Sequence, residues 1–161
     1  LLNRLVGERL AIVSPKPQST RERVVGILSD EHSQLIFLDT PGLLEPRYAL
    51  HKAMLHSAHQ AIEDADVILF LIDAQRDKPE DLVTLAQLSK RPAAPVLTVF
   101  NKMDEVSPAR REELTALAPE GLWISASTGE GCEALLAAVR ARLPQSPFFY
   151  DPDDVSTQQL R

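Results

Sequence analysis

The sequence holds one cysteine, Cys132, so no disulfide can form within the chain and a small disulfide-stapled scaffold is excluded. It also lacks a basic excess. Seventeen Lys and Arg stand against 23 Asp and Glu, a net charge of -6. A domain that held nucleic acid mainly by neutralising phosphates would be basic, so that class is excluded for this stretch. Long apolar runs are missing too. The longest strongly apolar stretch covers residues 67–72, far short of the roughly 20 residues a membrane-spanning helix needs. No cationic, apolar, small-residue leader opens the chain, which points to a reduced, aqueous, cytoplasmic setting. No initiator Met and no capping residue precede Leu1-Leu2-Asn3-Arg4-Leu5-Val6, although their spacing is helical. The expectation is a chain cut inside a helix, a piece of something longer. Internal repeats and low-complexity tracts are absent as well.

What remains is ordinary for one globular domain. The chain has 161 residues, 44% hydrophobic and 25% charged, enough to bury a real core. Residues 7–20, with Pro15 and Pro17, suit a long loop. Residues 23–28 and 34–38 are rich in β-branched and aromatic side chains and joined by a short polar link, which predicts an antiparallel pair. Leu50, Ala53, Met54, Ala58, Ala61, Ile62 and Ala65 fall on one helical face. Residues 67–72 and 95–100 form continuous apolar runs of strand length, as strands covered on both faces do. Between them a helix opens near Pro79 and carries Leu82, Leu85 and Leu88. Ser107-Pro108 is a cap and first-turn pair for a helix to about Leu117. Residues 122–124 make a short strand, and Leu135, Leu136, Val139 and Leu143 mark a last helix stopped by Pro144.

From residue 67 onward strand and helix alternate, which argues a parallel sheet with helices on both faces. Ligands of such sheets sit at the carboxyl ends of the strands. Three loops lie there: Asp39-Thr40-Pro41-Gly42, Asn101-Lys102-Met103-Asp104 and Ser125-Ala126-Ser127. An ionised carboxylate such as Asp104 is an acceptor only and pairs best with two parallel N–H donors. Guanine offers these on N1 and N2, and adenine does not. Asn101 can give an amide to the purine edge and also tie neighbouring loops together. Lys102 can lay its stem along the base with its ammonium in water. The small 125–127 loop lets a backbone N–H approach a carbonyl such as guanine O6. Asp39 can hold Mg²⁺ through water, Gly42 brings backbone close to a phosphate, and Thr20 can add a hydroxyl to the metal. Each loop alone also suits a plain polar turn, a helix cap or a Pro-Gly turn.

Taken in order, the three loops resemble the third, fourth and fifth motifs of P-loop GTPases. Residues 15–27, Pro-Lys-Pro-Gln-Ser-Thr-Arg-Glu-Arg-Val-Val-Gly-Ile, resemble the switch I region of the Era GTPases, a bacterial family of ribosome assembly. Residues 150–157, Tyr-Asp-Pro-Asp-Asp-Val-Ser-Thr, resemble the linker before that family's KH RNA-binding domain. The resemblance implies an α/β fold, the P-loop NTPase G domain: a mostly parallel, doubly wound sheet with one antiparallel edge strand and helices on both faces. It implies a guanine-nucleotide (G) domain over residues 1–147, truncated at its start, and a linker over 148–161 leading to a KH domain.

The same resemblance implies roles and partners. Thr20 and Asp39 would serve Mg²⁺, and Gly42 would sense the γ-phosphate of GTP. Asp39, Thr40, Pro41 and Gly42 would line the phosphate side, and Asn101, Lys102, Asp104, Ser125, Ala126 and Ser127 the guanine side, with the Ala126 backbone on O6. The implied activity is hydrolysis of GTP to GDP and phosphate with Mg²⁺. It would be coupled to 16S, small-subunit ribosomal RNA and the pre-ribosomal particle through the KH domain. Peripheral association with the inner membrane, without a transmembrane segment, is implied too. No residue is assigned as catalytic: Leu43-Leu44 stands where many GTPases carry a water-orienting glutamine. One part of the pattern is absent, since no G-x-x-x-x-G-K-[ST] occurs in the 161 residues. Two other readings stay open: a sister GTPase of tRNA modification or large-subunit assembly, and a non-hydrolysing GTPase-like binding module.

Other residues are read as structural. His56 and His59 suit a solvated helix face, and Cys132 and Trp123 suit the core. Phe148-Phe149-Tyr150 would pack the linker onto the domain. Arg21 and Arg23 flank the switch, where an RNA or partner contact and a solvated loop are equally open.

Overall fold

The computed structural model describes residues 1–7, 24–31, 33–40 and 49–145. Strand β1, Val24–Ser29, pairs antiparallel with β2, Gln34–Asp39. Their link is closed by Asp30, whose backbone N–H donates to the Ser33 carbonyl at 2.9 Å and whose carboxylate accepts the Ser33 N–H at 2.7 Å. The register sets Leu28 opposite Leu35, and Leu35 is buried. Helix α1, Leu2–Val6, packs here through Leu2 and Leu5. Gly26 permits the approach, because a Cβ there would stand 2.6 Å from Leu2 Cδ1.

Helix α2, Ala49–Asp64, then leads to β3, Ile68–Asp73. This strand pairs in parallel with β4, Val96–Asn101, which pairs in parallel with β5, Leu122–Trp123. β4 is the central strand, which explains its apolar sequence: side chains of both parities are covered. Leu97 and Val99 share a buried cluster with Leu5, Leu35, Ile124, Leu135 and Val139. Phe100 shares another with Ile72 and Leu114. Helix α5, Cys132–Arg140, and α1 therefore contribute to one cluster, and α4, Pro108–Leu117, to the other. Ile68, Leu82 and Ala86 make a third cluster, against which Ile62 of α2 packs.

Most expected elements are present. Ser107 Oγ accepts the Arg110 N–H at 3.3 Å with Pro108 in the first turn, as the cap pair predicts. One expectation needs correction. The helix expected from Pro79 is only the four-residue α3, Leu82–Leu85. Asp81 caps it late, accepting the Thr84 N–H at 3.1 Å, and Gln87 at φ 52° breaks it off. Among the described residues the strands form an antiparallel pair and a parallel three. What joins them is side-chain packing, through Leu35 in the cluster shared with Leu97 and Val99. Among the described residues no helix is long and apolar enough to cross a membrane. The switch-like segment with Thr20, Arg21 and Arg23, the residues Pro41 to Leu44, and the linker from 148 onward lie outside the described residues.

Candidate functional site: a purine-edge loop cluster

Parallel pairing of β3 with β4 sets Asp73 beside Asn101 at the strands' carboxyl ends. There the chain must leave the sheet, and it does so through Lys102 in the left-handed region at φ 66°. A side chain with a Cβ adopts that conformation at a cost of about 1 kcal/mol or more, so something must hold it. Two contacts do. Asn101 Oδ1 accepts the Lys102 N–H at 2.8 Å, and Lys102 Nζ pairs with Asp73 Oδ2 at 2.7 Å. Asp73 Oδ1 also accepts the Gln75 N–H at 3.1 Å. Arg110 pins the same loop from α4, donating Nε to the Ala74 carbonyl at 3.1 Å and Nη2 to the Asp77 carbonyl at 2.7 Å.

The next turn, Met103–Glu105, is a short 3₁₀ helix fastened to the end of the third parallel strand, the Met103 N–H donating to the Ile124 carbonyl at 3.0 Å. That bond brings Asp104 to the 125–127 loop. Ser127 Oγ donates to Asp104 Oδ2 at 3.0 Å, and the Ser125 and Ser127 hydroxyls lie 2.9 Å apart. The Ser125 hydroxyl, then the backbone N–H of Asp104 itself, the Ser127 hydroxyl and the Lys102 ammonium, hold the Asp104 carboxyl below the usual carboxylate range. It is an ionised, exposed acceptor at neutral pH.

Asn101 joins the two loops. Its Oδ1 accepts the Ala126 N–H at 3.0 Å as well as that of Lys102. Two backbone donors converging on one atom identify it as the oxygen. Both of its lone pairs are taken, so the side chain's remaining capacity is its NH₂, a donor.

The loop itself is built around Ser125, which is fully buried. Its N–H donates to the Glu130 carbonyl at 2.8 Å, and its Oγ accepts the Thr128 N–H at 3.1 Å. Cys132 Sγ faces the Ser125 carbonyl at 3.9 Å. Burial pushes the Cys132 thiol up, so it is a packing group and not a thiolate nucleophile. Arg4 of α1 closes the far side, donating Nε to the Ala126 carbonyl at 3.2 Å and Nη2 to that of Ser127.

The structure thus brings Asn101, Lys102, Asp104, Ser125, Ala126 and Ser127 into one connected cluster. Asp39 ends β2, Thr40 follows it, and both are half-buried; Pro41, Gly42 and Thr20 fall outside the described residues. Two details differ from the sequence reading. The Lys102 ammonium is paired with Asp73, and the Ala126 N–H is given to Asn101. Two members were missed. Asp73 follows an apolar strand just as Asp39 and Asn101 do, so the strand-end rule could have flagged it. Arg4 lies 122 residues from Ala126 and carries no sequence signal. Elsewhere, His59 is half-buried with Nε2 at 2.5 Å from the Ala86 carbonyl, rather than solvated, and His56 is exposed. Trp123 stacks on Phe100 with ring centroids 4.6 Å apart and carries Arg111 over its face.

Comparison with known proteins gives three results. A family model described as "50S ribosome-binding GTPase" matches residues 1–102. GTPase Era of Sinorhizobium medicae is 39% identical over 170 aligned positions that include all of this chain and 54% of the relative. Two solved structures overlay closely. Era in complex with MgGDPNP and a 16S ribosomal RNA segment has a TM-score of 0.82 at 36% identity, covering 96% of this chain and 55% of that one. A point variant of Aquifex aeolicus Era bound to GDP·AlF₄⁻ has a TM-score of 0.84 at 35% identity, covering 99% and 57%. The fold is that of a P-loop GTPase G domain. The chain spans about half the length of the curated relatives it matches.

Proposed function

Because the chain belongs to the 50S ribosome-binding GTPase family and is similar over its whole length to GTPase Era, we propose that it carries the guanine-recognising part of an Era-type GTPase. The observation that carries this reading is the joined cluster of Asn101, Asp104 and Ser127. Asp104 is held ionised and offers two acceptor oxygens to the N1–H and N2–H of guanine. Asn101 has only its NH₂ left to offer, which suits the purine N7. Adenine would leave Asp104 facing no donor, and an unmatched carboxylate discriminates by orders of magnitude. Lys102, held by Asp73, lays its stem beside the base. For the Ala126 N–H to meet O6, Asn101 must share or release it.

The phosphate and metal side is represented among the described residues by Asp39 and Thr40. Asp39 would hold Mg²⁺ through water together with Thr20, and Gly42 would meet the γ-phosphate. Mg²⁺ would supply charge neutralisation at the phosphates. In the whole protein we read the activity as hydrolysis of GTP to GDP and phosphate. Segments that order around the γ-phosphate and relax after hydrolysis make a two-state switch. The relative solved with a 16S ribosomal RNA segment supports coupling of that switch to small-subunit RNA; an RNA-binding domain and the pre-ribosomal particle belong to the same reading. Cytoplasmic placement with peripheral contact at the inner membrane belongs to the same reading.

Titration of the whole protein with a fluorescent GDP analogue, competed by GDP and by ADP, tests the proposal. Strong preference for GDP is the expected result. Equal competition by both would end it.

A further inference from the structure

Arg4 is exposed, yet both ends of its fork are used. Nε donates to the Ala126 carbonyl at 3.2 Å and Nη2 to the carbonyl of Ser127. Its stem lies over Gly129, where an added Cβ would be 3.7 Å from both Arg4 Cδ and Nε. The adjacent Leu5 is buried in the same cluster as Ile124 and Cys132, so α1 is seated against this segment by packing as well. A planar guanidinium suits two successive carbonyls because its donors are fixed in one plane.

Those two bonds set the loop's orientation. In a trans peptide the carbonyl of one residue and the N–H of the next point in opposite directions. With the Ala126 and Ser127 carbonyls turned to α1, the N–H groups of Ser127 and Thr128 are turned away from it. The Thr128 N–H accordingly meets Ser125 Oγ at 3.1 Å. From the same loop the Ser127 hydroxyl reaches Asp104 Oδ2 at 3.0 Å. Without the fork, both carbonyls would turn to water, leaving the Ser127 segment held by the Thr128 N–H on Ser125 Oγ and by the Ser127 hydroxyl on Asp104.

We propose that Arg4 is a positioning residue for base selection. By gripping the Ala126 and Ser127 carbonyls from α1, it fixes the 125–129 loop in the orientation that presents Ser127 to Asp104 and the loop backbone to the purine. The inference rests on the guanine reading above.

The test compares GDP and ADP affinities of the whole protein for wild type, Arg4→Ala, Arg4→Met and Arg4→Lys, alongside their melting temperatures. Arg4→Met keeps an apolar stem over Gly129 and removes every donor, and it carries the test should Arg4→Ala unfold. Loss of two charge-assisted bonds is expected to lower GDP affinity about tenfold in both, with ADP unchanged. Arg4→Lys, which restores one cationic donor, is expected to recover part of the preference. A wild type without GDP preference removes the guanine reading itself. A wild type that prefers GDP, with variants keeping the full GDP-to-ADP ratio, overturns only the role of Arg4. Equal losses for GDP and ADP in all variants would make Arg4 a fold support and overturn it equally.

Discussion

Asn101 ends β4 and Ala126 lies on the loop after β5, yet Oδ1 of the first accepts the backbone N–H of the second at 3.0 Å. The same oxygen accepts the Lys102 N–H. One side chain therefore does two separable things: its oxygen joins the two segments and its NH₂ is left to donate. Asn101→Asp keeps the acceptor and removes the donor. It should leave stability close to wild type while guanine-nucleotide affinity falls. Asn101→Ala orphans two backbone donors and should lower stability by about 1–3 kcal/mol. Urea unfolding and GDP titration of the two variants check the separation. Equal stability losses in both would contradict it.

On the guanine reading, Asp73 would act on nucleotide through Lys102. The pair is 2.7 Å apart and partly exposed, with side chains 23% and 39% accessible, so its own worth to the fold is below about 1 kcal/mol. Asp73→Asn, which keeps an oxygen for the Gln75 N–H and removes the charge, should barely move the urea midpoint. It should weaken GDP binding measurably, because Lys102 loses the anchor that holds its stem while its backbone stays left-handed. Unchanged GDP affinity would show that the ammonium needs no anchor.

Gly131 opens α5 at φ 76°, and a Cβ there would sit 2.2 Å from the Trp123 carbonyl oxygen. Backbone cannot yield as a flexible side chain can. Gly131→Ala should cost about 1–3 kcal/mol, read from urea unfolding, and should disturb the neighbouring Ser125 loop. Wild-type stability in that variant would contradict the close approach.

Much of this was readable from residues alone, for identifiable reasons. The apolar runs at 67–72 and 95–100 became β3 and β4 because burial on both faces leaves a continuous signature. Ser107-Pro108 announced its helix because capping is local chemistry. α3 shrank to four residues because Asp81 and Gln87 set its ends, and leucine spacing carries no such boundary. The loops proposed for guanine stood out as residue types at strand ends. Their cross-links did not: Asp73 to Lys102 and Arg4 to Ala126 depend on register and helix seating, and spacing along the chain does not encode either.

The Asp104 carboxyl is held below its usual value by the Ser125 hydroxyl, its own backbone N–H, the Ser127 hydroxyl and the Lys102 ammonium. A group depressed in the folded state stabilises it above the unfolded value, about pH 4 for a carboxylate, and loses that contribution as pH falls through the folded value. Guanine preference should thus show no break attributable to Asp104 between about pH 5 and 8. Acid unfolding should be less steep below about pH 4 in Asp104→Asn than in wild type. A titration of Asp104 near neutrality, followed by carboxyl NMR shifts, would contradict this.

The most direct test concerns which base edge position 104 accepts. Xanthine differs from guanine in carrying a carbonyl where guanine carries the N2 amine, so an amide at 104 offers it a donor that a carboxylate lacks. GDP and XDP affinities should be measured for the whole protein, wild type and Asp104→Asn. The account predicts that the substitution lowers GDP affinity by at least about a hundredfold and raises XDP affinity, inverting the preference. An unchanged GDP-to-XDP ratio would mean that Asp104 does not face the base.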